Sequence, residues 1–367
     1  MKYRVGMVGC GRKATQFARA YTQHAKTQVV AASDPDPWTL KLFCDRFDVV
    51  GYENDDAMIT QENIDIAACF VPTEAAPNVI VNAARTGAKA VHRQKPIAAV
   101  LRDADRMVEE CRSRGVPFAA GDADRNYPQF WEARAIIEGG EIGDVQSINL
   151  YQSTSQISGG GSQGLALLQM FAHDAPVEWV TGWVEKDPWS DDDQGMGGHL
   201  RFKNGIDGFI HFRQGAKRGI EVICSRGIFA SDTRTFRLWK PPHGVETGWL
   251  DDLTEVEGMF SYNDVGERTY DEEGWLAVSS RHAAGVQSVV DALEERIEPR
   301  CSGEIIRNAL EIAIALRESH RNDHSAVTLP LQDRNLKIMP SRGKYISKKD
   351  LYSQQWWAKE MAQFKND

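Results

Sequence analysis

A lysine held between an amide and a proline, Gln94-Lys95-Pro96, follows an apolar run from Ala88 to His92. The run reads as a buried strand. Proline confines the residue before it to extended geometry, so the Lys95 ammonium is aimed from a strand end into the adjoining crevice, where open α/β sheets bind ligands. A lysine so placed can exchange a proton with a bound substrate if other elements deliver one. A second grouping lies further on, where Gly159-Gly160-Gly161 precedes an apolar helical stretch carrying Gln169 and His173. Four residues apart, these two share a helix face. An imidazole with an amide one turn away beside a glycine loop reads as part of a site. Asp174 points elsewhere, and Pro176 removes a helix hydrogen bond near Ala172, which predicts a kink or break close to His173.

Elements that could serve Lys95 begin at the N-terminus. Lys2 to Val8 is a strand running into Gly9-Cys10-Gly11-Arg12-Lys13-Ala14, and a helix continues through Tyr21. Two glycines allow a tight turn and close approach to a pyrophosphate, whose charge suits the free amides of the helix start. Thr27 to Ala32 is a second strand, ending at Asp34, 25 residues beyond Gly9. A carboxylate there accepts from a ribose 2′-hydroxyl and repels a 2′-phosphate, so the expected cofactor is NAD rather than NADP. The alternation continues with a helix from Trp38 to Phe47, a strand from Ile64 to Val71, a helix from Pro77 to Arg85, the strand before Lys95, a helix from Leu101 and a strand from Val116 to Ala120. Repeated β-α units specify a parallel, doubly wound α/β sheet. Pro72 and Thr73, after the third of these strands, and Gln94 are expected beside the cofactor.

The polar segment from Gly121 to Pro128 marks a boundary, giving a cofactor domain at 1–122, a second domain at 123–345 and a tail at 346–367 that carries Trp356 and Trp357. The second domain reads as α+β: short alternating strands, including a hairpin turned at Asn204-Gly205, then helices near His282 to Arg296 and Gly303 to His320. The sheet is expected to be large, open and mainly antiparallel, with one face free for oligomerisation. Trp356-Trp357 suggests a docked tail or a subunit contact.

Composition narrows the partners. A formal net charge of −9 argues against nucleic acid and anionic membrane surfaces, and no stretch is apolar for long enough to span a bilayer. Six dispersed cysteines suit reduced, buried thiols and a cytoplasmic location. Asp191-Asp192-Asp193 reads as a solvated turn, and His199 and His211 lack a third ligand, so no metal is assigned.

In this order, the Gly-Cys-Gly turn, Asp34, Lys95-Pro96, the Arg125 exit segment and the glycine loop before His173 resemble the Gfo/Idh/MocA oxidoreductases, over roughly residues 1–330. The family is named for glucose-fructose oxidoreductase, inositol dehydrogenase and a rhizopine catabolism protein. The resemblance implies an N-terminal Rossmann domain, a C-terminal domain whose open sheet builds dimers or tetramers, and a sugar, cyclitol or derivative as substrate. In the family a Glu-Lys-Pro motif lies beside the nicotinamide. Lys95 and Pro96 match it, with Gln94 in place of glutamate. The helical Asp-x-x-x-His motif is matched at His173, with Gln169 in place of aspartate.

Each departure exchanges a carboxylate for a neutral amide, keeping hydrogen bonding while removing charge. The burden of proton transfer is therefore expected to fall on Lys95, with His173 and Gln169 orienting substrate hydroxyls. Arg125, Asn126 and Tyr127 are expected to line the entrance. A redox-neutral enzyme that holds NAD tightly for epimerisation, elimination or glycoside cleavage, and a non-catalytic sugar sensor on the same fold, remain open alternatives.

Overall fold

The computed structural model describes residues 2–121, 124–152, 156–212, 218–232, 235–242, 253–256 and 280–340, without the side chains of Arg12 and Ser280. Trp356, Trp357 and the 346–367 tail lie outside the described residues. The first sheet is built from β1 (Tyr3–Val8), β2 (Thr27–Ser33), β3 (Val50–Tyr52), β4 (Ile66–Cys69), β5 (Ala90–Arg93) and β6 (Phe118–Ala120). All its pairs are parallel and the order is β3-β2-β1-β4-β5-β6. Crossovers are supplied by α1 (Arg12–Gln23), α2 (Pro37–Phe47), α3 (Asp55–Gln61), α4 (Ala76–Thr86) and α5 (Leu101–Ser113). Every residue of β4 and β5 is buried, which a strand covered by helices on both faces requires. Local chemistry fixes the helix ends. The Asp36 carboxylate accepts from the Thr39 amide at the start of α2, and Asn54 caps α3 through the Ala57 amide. β3 and α3 are too short to show a period in the sequence.

The strand order turns round between β1 and β4, and a doubly wound sheet opens its ligand crevice at that switch point. Both Gly9, after β1, and Lys95, after β5, stand at that end of the sheet.

A 3₁₀ turn at Asp124–Asn126 and α6 (Pro128–Glu138) lead into the second sheet. Its strands are β7 (Val145–Gln152), β8 (Val177–Val184), β9 (Met196–Phe202), β10 (Asp207–Phe212), β11 (Gly219–Cys224), β12 (Ile228–Ser231), β13 (Phe236–Lys240), β14 (Thr254–Glu255) and β15 (Val327–Thr328). They run in the order β14-β13-β12-β11-β7-β10-β9-β8-β15, antiparallel except for β7 with β10. The Asn204-Gly205 hairpin forms as expected: Gly205 takes φ +89° and the Phe202 amide donates to Ile206 O at 2.9 Å.

Three further helices cover the sheets: α7 (Ser162–Phe171) on the second, α8 (Ser280–Glu295) on the first, and α9 (Gly303–Arg321) against both. Val286 and Val289 of α8 pack with Phe17 and Tyr21 of α1, so α8 covers the first sheet although it follows the second in sequence. On the second sheet, Leu316 of α9 presses onto Gly182 and Gly198. A Cβ on Gly182 would lie 2.5 Å from Leu316 Cδ2 and 2.9 Å from Gly197 O, and backbone cannot yield cheaply. Gly182→Ala is therefore expected to cost about 1–3 kcal/mol as an overpacked core does, seen as a lowered midpoint in thermal unfolding; an unchanged midpoint would show that α9 can lift freely.

Candidate active site

The end of β1 carries the features a dinucleotide needs. Gly9 takes φ +84°, and a Cβ there would stand 2.8 Å from Phe70 O, so a side chain is excluded twice over. A Cβ on Gly11 would meet nothing within 4 Å, leaving the backbone open to approach. The α1 start has no side-chain cap and no acidic residue in its first turn, so its orphan amides suit an anionic group. Asp34 lies across this turn: its Oδ2 accepts from the Cys10 amide at 2.8 Å and its Oδ1 from the Asp36 amide at 2.9 Å. Gly9, Cys10, Gly11 and Asp34 thus form one unit, with the Lys13 backbone in the first turn of α1. The backbone after β4 closes over it, for Phe70 O lies against Gly9 while Pro72 O accepts the Ala75 and Ala76 amides that start α4. Thr73 is buried beside that turn. A dinucleotide fits these residues.

The β5 end is braced from within. The Arg93 guanidinium, 2 % exposed, donates to Ile97 O at 2.9 Å, to Pro96 O at 2.9 Å and to Val71 O at 3.2 Å. It therefore ties the segment carrying Lys95 to the chain leaving β4. Gln94 is 8 % exposed and its Nε2 has no hydrogen-bond partner among the described residues. A buried amide donor costs free energy when unpaired, so this atom is a natural place for a ligand acceptor. Lys95 stands beside it, half-buried.

On the opposite side, α7 ends at Phe171, and His173 and Asp174 both take φ +57°. The expected break near Pro176 is present, and it separates the two residues that a continuous helix would have stacked. Gln169 is buried, with Nε2 donating to Leu165 O at 3.2 Å and Ile305 O at 3.1 Å, pinning α7 to the start of α9. His173 lies beyond the helix end, with Nδ1 3.3 Å from Glu138 Oε1 of α6. Arg125 does not line an entrance either. It is 3 % exposed, holds both Asp174 oxygens at 2.7 Å, and donates to Arg300 O at 2.6 Å and Ala166 O at 3.2 Å. Asn126 is buried with its Oδ1 unpartnered among the described residues, and the Tyr127 hydroxyl accepts from Arg281 at 3.3 Å.

The acidic triplet also differs from a solvated turn. Asp193 is buried and accepts from Ser158 Oγ at 2.7 Å and from the Ser158 and Gly159 amides at 3.1 and 3.2 Å. It clamps the glycine loop, Ile157–Gly161, a π-helical turn. Burial outweighs these donors and pushes its carboxyl up. Asp191 pairs with the buried Arg317 at 3.2 Å.

A cavity of about 200 Å³ opens between the second sheet, the first half of α7 and the 3₁₀ turn, and it was not foreseen from sequence. Asp124, Gln152, Gln163, Arg218 and Arg281 supply its polar lining. Their wide separation along the chain hides them from spacing arguments.

The Asp174 carboxyl titrates against two cations. Burial alone would raise it, but the Arg125 and Arg134 guanidiniums outweigh that and hold it below the usual carboxylate range. A depressed folded pKa stabilises above the unfolded value, near 3.9 for Asp, and the contribution disappears as pH falls through the folded value. Asp174→Asn is expected to lower stability by about 3 kcal/mol near neutrality, leaving a buried guanidinium without its anion, and to flatten the loss of stability below about pH 4. Denaturant unfolding across pH checks this; parallel profiles for both proteins would contradict it.

Comparison with known proteins agrees with this geometry. Residues 3–122 match the model of the Gfo/Idh/MocA oxidoreductase family, NAD-binding Rossmann fold. Myo-inositol 2-dehydrogenase of Thermotoga maritima is 26 % identical over 262 residues, covering 63 % of this chain and 76 % of that protein. An uncharacterized oxidoreductase of Streptococcus pneumoniae is 24 % identical over 198 residues, covering 53 % of this chain; the match spans about half of the relative's length, 46 %. Among solved structures, the WlbA dehydrogenase of Bordetella pertussis, in complex with NADH and UDP-GlcNAcA, superposes with a TM-score of 0.71 at 21 % identity, covering 90 % of this chain and 99 % of that one. The two-sheet architecture is thus shared, and residues 3–122 match the NAD-binding Rossmann domain of the Gfo/Idh/MocA oxidoreductase family.

Proposed function

We propose that the protein catalyses NAD-dependent oxidation, or the reverse reduction, of a secondary hydroxyl on a sugar, cyclitol or sugar derivative, with Lys95 as proton acceptor and donor. What supports this reading is that Lys95 follows β5 at the same end of the parallel sheet as Gly9 and Asp34. NAD would supply the hydride acceptor. The chain's own part is to hold the cofactor along Gly9–Lys13 and Asp34, with Pro72, Thr73 and Gln94 beside it, and to move the hydroxyl proton at Lys95 Nζ. The geometry favours Lys95 over His173, which lies past the helix end against Glu138. Gln169 and Arg125 serve by position, holding α7 in place, because their polar atoms are engaged by Ile305 O and Asp174. Asn126 and Tyr127 border the substrate from the exit segment. Relatives named for inositol oxidation support the substrate class.

Lys95→Met is expected to reduce kcat by about 10²–10⁴-fold, the usual worth of general acid–base catalysis, while calorimetry still detects NAD binding. Turnover near that of the unaltered protein would overturn the assignment. The Asp34 carboxylate should also make NAD preferred over NADP, and Asp34→Ser should narrow that preference in steady-state assays with both cofactors. An unaltered protein that prefers NADP would contradict this reading.

A further inference from the structure

The cavity beside α7 has an uneven charge lining. Asp124 and Arg281, both in its lining, form an ion pair at 2.6 Å and offset one another. Arg281 is held further by Tyr127, whose hydroxyl takes its Nε–H and whose ring lies 5.8 Å beneath the guanidinium. Arg218, just before β11, has an exposed side chain and no hydrogen bond or ion pair with any described residue. One guanidinium without a counter-charge among the described residues therefore lines a concave site in a chain whose net charge is −9. Gln152 gives its Nε2–H to Gly161 O and keeps Oε1 as an acceptor.

The chain that leaves the first sheet beside β5 leads into the cavity lining. The Gly121 amide donates to Arg93 O at 2.7 Å, two residues before Lys95. Asp124 follows three residues later, which limits its distance from Gly121 to roughly 10 Å.

We propose that this cavity binds an anionic substituent of the substrate, a carboxylate or a phosphate, with Arg218 as its ligand and Arg281 beside it, and with Asp124 and Gln152 accepting from neighbouring hydroxyls. This rests on the polyol reading above and narrows it to acidic sugars or cyclitols. The planar guanidinium matches two anion oxygens at once, and in a partly desolvated cavity such charge-assisted bonds are stronger than those between neutral groups.

The test is calorimetric binding to the full chain with saturating NAD, using D-glucuronate, D-glucose 6-phosphate and D-glucose as probes. At least one anionic probe should bind about 10- to 100-fold more tightly than D-glucose, and which one does separates a carboxylate site from a phosphate site. Raising salt should shrink that ratio. Arg218→Gln should bring the ratio close to one, whereas Arg218→Lys should keep part of it. Equal or tighter binding of D-glucose to the unaltered protein, or an Arg218→Gln ratio that stays high, would overturn the proposal. The readout is binding, so absence of cofactor reduction with every polyol would count against the dehydrogenase reading and leave this test intact.

Discussion

The Arg125–Asp174 pair holds the two halves of the molecule in one geometry. Arg125 belongs to the chain that has just left β6, and Asp174 to the turn that ends α7. A guanidinium this deeply buried carries a large desolvation penalty, which only a complete set of partners offsets. Here the partners come from four places: Asp174, Ala166 O, Arg300 O and the face of Trp131, 5.5 Å away. Displacing α7 from the first sheet would break several of these bonds together. The chain leaving β6 and the end of α7 are therefore held together.

The same device recurs on a smaller scale. Arg93 fixes the segment carrying Lys95 by donating to three main-chain carbonyls, and Asp193 fixes the glycine loop by accepting from two amides and a hydroxyl. In each case a buried charged side chain satisfies irregular backbone that has no ladder or helix of its own. Irregular segments border the site because chemistry needs side chains aimed off strand ends, and such segments are ordered only when their polar groups are paired. Two of the buried polar atoms left unpaired among the described residues, Gln94 Nε2 and Asn126 Oδ1, follow strands of the first sheet.

Much of this was legible in the sequence, for identifiable reasons. The β-α alternation, Gly9, Asp34 and the strand before Lys95 are local signals, each written in a few adjacent residues. The Pro176 break was legible for the same reason. Its consequence was not, because a helix that stops at Phe171 sends His173 towards Glu138 and leaves Gln169 facing Ile305, 136 residues later. Likewise, Arg125 reads as an entrance residue until Asp174 is brought to it. The triplet at Asp191 reads as solvated because nothing nearby in sequence announces Ser158 or Arg317 as its partners. The cavity is assembled from five distant segments, so its lining could be found only in three dimensions.

The central claim is that a secondary carbinol gives up hydride to the cofactor while its hydroxyl proton passes to Lys95. The most direct measurement uses a panel of polyols and sugar acids deuterated at the carbinol carbons, incubated with the protein and NAD, with the recovered cofactor read by mass spectrometry. The account predicts that one substrate yields reduced nicotinamide carrying one deuterium, more slowly than its unlabelled form. Product formation with no deuterium on the cofactor at any stage would contradict it.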